Sequence, residues 1–526
     1  MPDPLRATRL ARASCALVVG AALAAAAPAA AGTFDPATPV AVSGTSPFTP
    51  GCSGHDEPSA IPGVTDAVQN SEVEPWISVN PIDPASMATA WQQDRWNNGG
   101  AHGLVAGHTE DGGATWGTSY ALFSRCALLA AGIDRDDPSQ PGHFFDRATD
   151  PWLEFGADGV LHQISDSLNV TGRGFGDGTG IFYSRSTDRG ATWSKPTVLK
   201  LDLANTVLND KETLTADPDD ANLVYAIWDR LVAPNENASP IATEHAFGYD
   251  GPTWFTRSTD GGLSWEPPRI VFDPGASQNQ TIGSTIYVRP DGTLVNGFNL
   301  IFNHKNKKTG EFDERLRGYN IAVQFSEDKG ETWSGATLVA KLVPTVVRTP
   351  GDGLRVRSGD ILPDFAVDRS DGPGSGDMYA AWQDNRFSGR SAIAFSRSTD
   401  GGESWSRPVR IDQADTQAFN HAIDVNDDGT IAVTYMDFDD DTATTDSALT
   451  SYRVITSDDG GASWSDAEQV GASFDITKAP LTTRGFFLGD YQGLAHASSA
   501  FKLFYAATNG STPSNPNDTF YTSYTP

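Results

Sequence analysis

The sequence predicts an all-β fold of repeated four-stranded antiparallel units, without a helix in the mature chain. Three observations predict it. A short turn-forming pattern occurs six times along 526 residues. Each copy sits in the same context of short alternating strands. The 52 Gly and 33 Pro suit a chain that reverses direction often.

The repeated pattern begins as Thr109-Glu-Asp111-Gly-Gly113-Ala-Thr115-Trp116. It returns around Asp188, Asp260, Asp328, Asp400 and Asp459, as in Ser258-Thr-Asp260-Gly-Gly262-Leu-Ser264-Trp265. The aspartates are separated by 77, 72, 68, 72 and 59 residues. The chemistry is that of a turn. Asp accepts from backbone N–H groups ahead of it, and Gly permits positive φ. The Ser or Thr hydroxyl joins the same network, and Trp packs on the neighbouring sheet. These six aspartates are therefore read as structural.

The fifth copy shows the strand context. Phe365-Ala-Val-Asp-Arg precedes a Gly-Pro turn, Met378-Tyr-Ala-Ala-Trp382 returns, Ser391-Ala-Ile-Ala-Phe-Ser396 leads into the Asp turn, and Pro408-Val-Arg-Ile411 follows. Four antiparallel strands repeated about an axis make a β-propeller. Six copies account for residues from about 74 to 475. Three further strands follow, near Tyr491, Phe501 and Thr519, and Pro39-Val-Ala-Val supplies a fourth. The strand count is seven blades, with six blades plus an appended sheet as the alternative. The domain reading is a signal peptide over 1–31, an N-terminal segment closing the propeller over 32–73, and the propeller over 74–526.

Lys and Arg number 37 against 67 Asp and Glu, a formal charge of −30. This excludes nucleic acid and anionic membrane surfaces as expected partners. Arg6, Arg9 and Arg12 precede an Ala-rich apolar run from Ala13 to Ala31, the pattern of a secretory signal. The mature chain is thus expected to be secreted and monomeric. Its two cysteines, Cys52 and Cys126, are expected to pair after export. No cofactor and no metal site is predicted, with a structural calcium ion left open. The run Asp424-Val-Asn426-Asp-Asp428-Gly429 starts like a calcium loop, but Tyr435 stands where the bidentate Glu belongs, so it is read as a turn.

Strand order places the functional face. The starts of first strands and the ends of second strands share one face, opposite the Asp turns. The starts carry Glu74, Asp150, Lys211, Glu212, Asp364, His421, Asp490 and Tyr491. The ends carry Trp91, Asp94-Arg95, Asp229-Arg230, and Asp384 with Arg386. Carboxylates, Trp rings and arginine forks suit a saccharide. Arg95, Arg230 and Arg386 have two readings: a cluster that clamps an acidic sugar, or three ion pairs that each brace their own blade.

The turn Ser-x-Asp-x-Gly-x-Thr-Trp resembles the Asp-box, or BNR repeat, and the mature chain looks like the bacterial sialidase-like Asp-box propellers over its whole length. The resemblance implies an exo-α-sialidase-like glycoside hydrolase acting on a carbohydrate or glycoconjugate. A non-catalytic glycan- or protein-binding propeller is the alternative. It further implies a Tyr nucleophile activated by a Glu, with an Asp as acid/base. Tyr491 would fill the first role, Glu212 or Glu74 the second, and Asp150 or Asp364 the third. The sequence departs from the family at the first inner strand, where Glu74-Pro-Trp-Ile replaces the sialidase Arg-Ile-Pro motif.

Overall fold

A computed structural model describes residues 31–54, 67–170, 178–233, 249–275, 278–302, 317–440, 448–510 and 514–526. The predicted signal peptide lies outside them, Ala31 apart. Residues Gly32–Pro526 form one unit of antiparallel sheets. The described strands group into successive four-stranded units, whose first strands are Glu72–Val79, Arg147–Phe155, Val207–Ala216, Gln280–Val288, Asp364–Val367, Ala418–Val425 and Gly493–Ala497. In the third unit, for example, Val207–Ala216 pairs with Val224–Val232, then Thr253–Ser258, then Arg269–Phe272. Each first strand lies against the first strand of the next unit, and Gly493–Ala497 lies against Glu72–Val79. This is the arrangement of a propeller. In the last unit the outer strand is Thr33–Ala41, from the other end of the chain, paired antiparallel with Asn517–Thr525.

The inner strands do not show the in–out burial of a two-sided sheet. Val207–Ala216, Met87–Arg95 and Ile431–Phe438 are buried at every residue, because each sheet is packed on both faces by its neighbours. Trp152, Ile164, Tyr183, Leu214 and Trp228 form one such core between the second and third units. Among the described residues one α-helix forms, Arg125–Ala130, where none was predicted, beside 3₁₀ turns at Pro141–Phe144 and Ile476–Lys478. Its six residues are too few for an amphipathic period, and the Ser124 hydroxyl caps it by accepting from Ala127 N–H. This helix carries Cys126, which is joined to Cys52.

The six turns share one hydrogen-bond pattern. Asp260 Oδ1 accepts from Ser258 Oγ and Ser264 N at 2.8 Å each, and Oδ2 accepts from Ser264 Oγ at 2.5 Å. Ser258 Oγ in turn accepts from Gly262 N at 2.8 Å. The corresponding Asp contacts recur at Asp111, Asp188, Asp328, Asp400 and Asp459. Donors from Thr115 and Thr332 hold Asp111 and Asp328 down to about 2. The run at Asp424 is likewise a turn, closed by Asn426 Oδ1 accepting from Asp428 and Thr430 N–H.

In four of the turns the Trp ring also fastens its unit to the one before. The Trp265 ring meets Tyr183 of the preceding unit at 4.8 Å between centroids. Trp116 meets Tyr521 at 5.3 Å, Trp333 meets Phe255 at 5.5 Å, and Trp464 meets Phe395 at 5.2 Å. The same aromatic covers the second glycine of the turn. A methyl group added to Gly262 would fall 1.8 Å from the Tyr183 hydroxyl.

This close approach yields a paired test. Gly262 has φ +80, and Gly112 has φ +75 with open space around it. Gly262→Ala is expected to lose about 2–4 kcal/mol, from backbone strain plus collision. For Gly112→Ala the expected loss is about 1 kcal/mol, from strain alone. Urea unfolding of both variants measures the difference; equal losses would remove the collision from the account.

Candidate functional site

The site is built by a repeated irregularity of the inner strands. Pairing slips between Val73 and Trp76, between Thr149 and Trp152, and between Asp210 and Thr213. The slipped residues Glu74, Asp150 and Lys211 have φ of 55°, 52° and 52°. Bulges of this kind re-aim side chains, and left-handed non-glycine residues are costly unless their surroundings hold them. Here three neighbouring bulges gather charge at the axis. Lys211 Nζ lies 3.3 Å from Glu74 Oε1, 3.3 Å from Asp150 Oδ2 and 2.9 Å from Asp490 Oδ2.

Asp490 arrives from outside the repeats. A small sheet is formed by Val347–Arg348, Arg355–Arg357, Gly485–Phe487 and Leu481–Thr482. In it Val356 and Arg357 pair in parallel with Phe486 and Phe487. This presents Arg357 to Asp490, with Nε donating to Oδ1 at 2.9 Å and Nη2 to Oδ2. Gly359 permits the approach: with φ +61, its Cβ position lies 2.0 Å from Asp490 O. Arg95 and Arg357 cover the Phe487 ring, at 4.8 Å and 4.1 Å from its centroid.

Two openings share Asp150 and Lys211. One is lined by Arg95, Asp166, Asp210, Arg357 and Arg484. The other is a cleft lined by Trp76, Trp152, Glu212, Asp364, His421 and Tyr491. Trp76 and Trp152 stack at 3.4 Å, and Tyr491 lies edge-on to both.

The carboxyl groups are driven apart electrically. Burial, then Asp150, pushes Glu74 well above the carboxylate range. Burial opposes ionisation of Asp150 too, but Lys211 and a hydrogen bond from Glu74 bring it down to about 2. Asp490 is held well below its usual value, since Arg357 and Lys211 outweigh its burial. Burial, then Asp150 and Asp166, raises Glu212 strongly. Glu212 Oε1 accepts from Asp166 N–H, while buried Oε2 has no hydrogen-bond partner. Burial lifts Asp364 to about 6; its carboxylate accepts from Tyr287 Oη and Ile423 N–H. His421 is lowered to about 4 by burial, and its Nε2–H donates to Ala381 O at 3.0 Å.

Glu74, Asp150, Lys211, Glu212, Asp364, Asp490, Tyr491 and Arg95 therefore border this one region. Others expected there do not. Trp91 is buried beneath the first unit, bonded to Gln93, because it points to the face opposite Gln92. Arg230 is held bidentately by Asp202 at 2.9 Å, and Arg386 by Asp384. The three arginines expected to cluster are thus dispersed. Two of the three expected self-pairs are also absent. Asp94 bonds His102 and Ser46, and Asp229 accepts from Thr281 and Ser284. Burial and the surrounding carboxyls raise the Tyr491 phenol further, and its hydroxyl donates to Pro151 O. Arg357 and Phe487 escaped sequence reasoning, since neither stands at a blade position.

No family model matches the chain, and no curated protein matches it. Among solved structures it is similar to a Hadza microbial sialidase, with 17% identity over 81% of this chain and 75% of that one, TM-score 0.44. It is also similar to a Penicillium chrysogenum α-L-arabinanase complexed with arabinobiose, with 12% identity over 71% and 92%, TM-score 0.40. A leech intramolecular trans-sialidase gives 15% identity over 90% and 70%, TM-score 0.40. Likeness at this level bears on neither substrate nor mechanism.

The charge cluster makes a pH-dependent prediction. Asp150 and Asp490 have lowered values, so they stabilise the fold above their unfolded range, and that contribution fades as pH falls through the folded values. Lys211→Met removes the cation: Asp150 loses its main lowering partner and rises, while Asp490 keeps Arg357. The variant is expected to lose about 3–5 kcal/mol at pH 7, with a smaller deficit at pH 4. Urea titrations at both pH values check it; a deficit unchanged with pH would assign the loss to packing.

Proposed function

We propose that the chain is an exported, seven-bladed Asp-box propeller that hydrolyses glycosidic bonds at this cleft. What carries the reading is that Asp150 and Glu212 line one aromatic-walled cleft, the Asp150 carboxyl shifted down and the Glu212 carboxyl shifted up. Two carboxyl groups whose surroundings push their protons apart supply an acid and a base or nucleophile. Glu212, with its Oε2 unpartnered, protonates the leaving oxygen. Asp150, ionised, faces the anomeric carbon or a water on it. Trp76, Trp152 and Tyr491 give the sugar an apolar wall. Arg95, Arg357 and Arg484 line the adjoining cavity and favour a sugar bearing a carboxylate. Exo-α-sialidase action is the specific form of this proposal.

A second reading is favoured by Asp490, whose two oxygens are held by Arg357 and Lys211, and by the neutral Tyr491. Groups so committed suit a propeller that retains an acidic glycan without cleaving it.

A panel of sialosides and other aryl glycosides decides between them. Hydrolysis is expected for a carboxylate-bearing glycoside. Glu212→Gln is then expected to lose 10²–10⁴-fold in kcat with its melting temperature retained. Parent kcat/KM should fall on the alkaline side, where the raised Glu212 loses its proton. Asp150→Asn should be equally impaired. Retention without release by the parent would select the binding reading, and full activity in both variants would sink the assignment of roles.

A further inference from the structure

Away from the mouth, Cys52, Cys126 and His102 bring three donor atoms within 4.8 Å of one another, and all three residues are buried. His102 is oriented rather than merely packed. Its Nδ1 lies 3.0 Å from Asp94 Oδ2. A carboxylate only accepts, so Nδ1 carries the proton, and in the neutral ring Nε2 keeps its lone pair. That Nε2 is buried with no hydrogen-bond partner. Asp94 is itself fixed by Ser46 Oγ at 2.7 Å, Gln69 Nε2 at 2.9 Å and Asn70 N at 2.7 Å. Ser124 Oγ donates to His102 O at 2.6 Å and caps the helix carrying Cys126, which fixes the imidazole relative to that thiol.

A disulfide requires no imidazole beside it, still less one with an oriented lone pair and a carboxylate behind it. That carboxylate–histidine arrangement is how metal-ligating histidines are held. Two thiolates and one imidazole form a soft donor set. Around a tetrahedral ion, with metal–sulfur about 2.3 Å and metal–nitrogen about 2.0 Å, such donors stand roughly 3.5–3.8 Å apart. Here the three donors lie within 4.8 Å of one another while the sulfurs are still bonded to each other, so the site forms only once the disulfide is open and the sulfurs separate.

We propose that the chain with Cys52 and Cys126 reduced binds one thiophilic d¹⁰ cation, zinc(II) or copper(I), through both sulfurs and His102 Nε2, and that disulfide closure expels it. On binding, the two thiols release their protons to solvent. On closure, the two thiolates pass two electrons to an exogenous disulfide R–S–S–R. The Cys52–Cys126 bond forms, two R–S⁻ leave, and the cation departs with the charge balanced. The site thus marks the state of the chain before oxidation.

The test uses the mature chain, reduced with a phosphine under anaerobic conditions and offered zinc(II), then cobalt(II) as a spectroscopic probe. One zinc per chain should survive gel filtration, and cobalt should show a thiolate charge-transfer band. The oxidised chain should retain no zinc, and Cys126→Ser should lose the band. His102→Gln and Asp94→Asn should each weaken zinc at least 10-fold with both thiols still titratable; the second decides if the first fails to fold. Zinc lost from the reduced parent, equal zinc on the oxidised chain, or unweakened binding in the folded variant would overturn the proposal.

Discussion

The molecule depends on a clamp between consecutive sheets. A Trp and a glycine from one turn grip an aromatic ring on the third strand of the sheet before. Trp265 and Gly262 hold Tyr183, and Trp116 and Gly113 hold Tyr521 of the last sheet, where the chain returns to its beginning. A four-stranded sheet alone buries only part of its apolar surface, so stability comes from stacking neighbour on neighbour. Asp and Ser shape the turn, but their work is local. The ring-on-glycine contact converts that local turn into an angle between sheets, and so sets where inner strands converge.

Convergence makes the site possible and expensive. Bringing Glu74, Asp150 and Asp490 together without compensation would be prohibitive in a buried place. Lys211 supplies one compensating cation and Arg357 a second. Burial, together with the remaining negative charge, raises Glu74 and Glu212 and so favours their protonated forms. The division between acidic and ionised carboxyls is therefore a property of the cluster as a whole. It explains why Tyr491, surrounded by the same groups, keeps its proton.

Much of this was legible in the residues, and the failures have physical causes. Periodic turns and strand order placed Glu74, Asp150, Lys211, Glu212, Asp364 and Tyr491 at one end of the inner strands, where they lie. They could not reveal which side chains a bulge would turn. Asp94 stands beside Arg95 in sequence, yet its φ of 63° sends the two in different directions, one to His102 and one to the mouth. A shift of one residue likewise separates Gln92, which meets Glu74, from Trp91, which enters the core. Arg357 and Phe487 come from inserted segments whose parallel pairing links distant parts of the chain, and no local periodicity announces such a pair.

The strand Thr33–Ala41 lies beside Asn517–Thr525, with Thr33 opposite Thr525. Thr33 and Thr525 thus stand at the same corner of the last sheet. A force pulling these two residues apart would load the hydrogen bonds one after another, as in opening a zipper, and not in concert as in shear. Such a pairing yields at lower force than one loaded in shear, so the weak line under tension is expected to be the seam between these two strands, independently of resistance to heat.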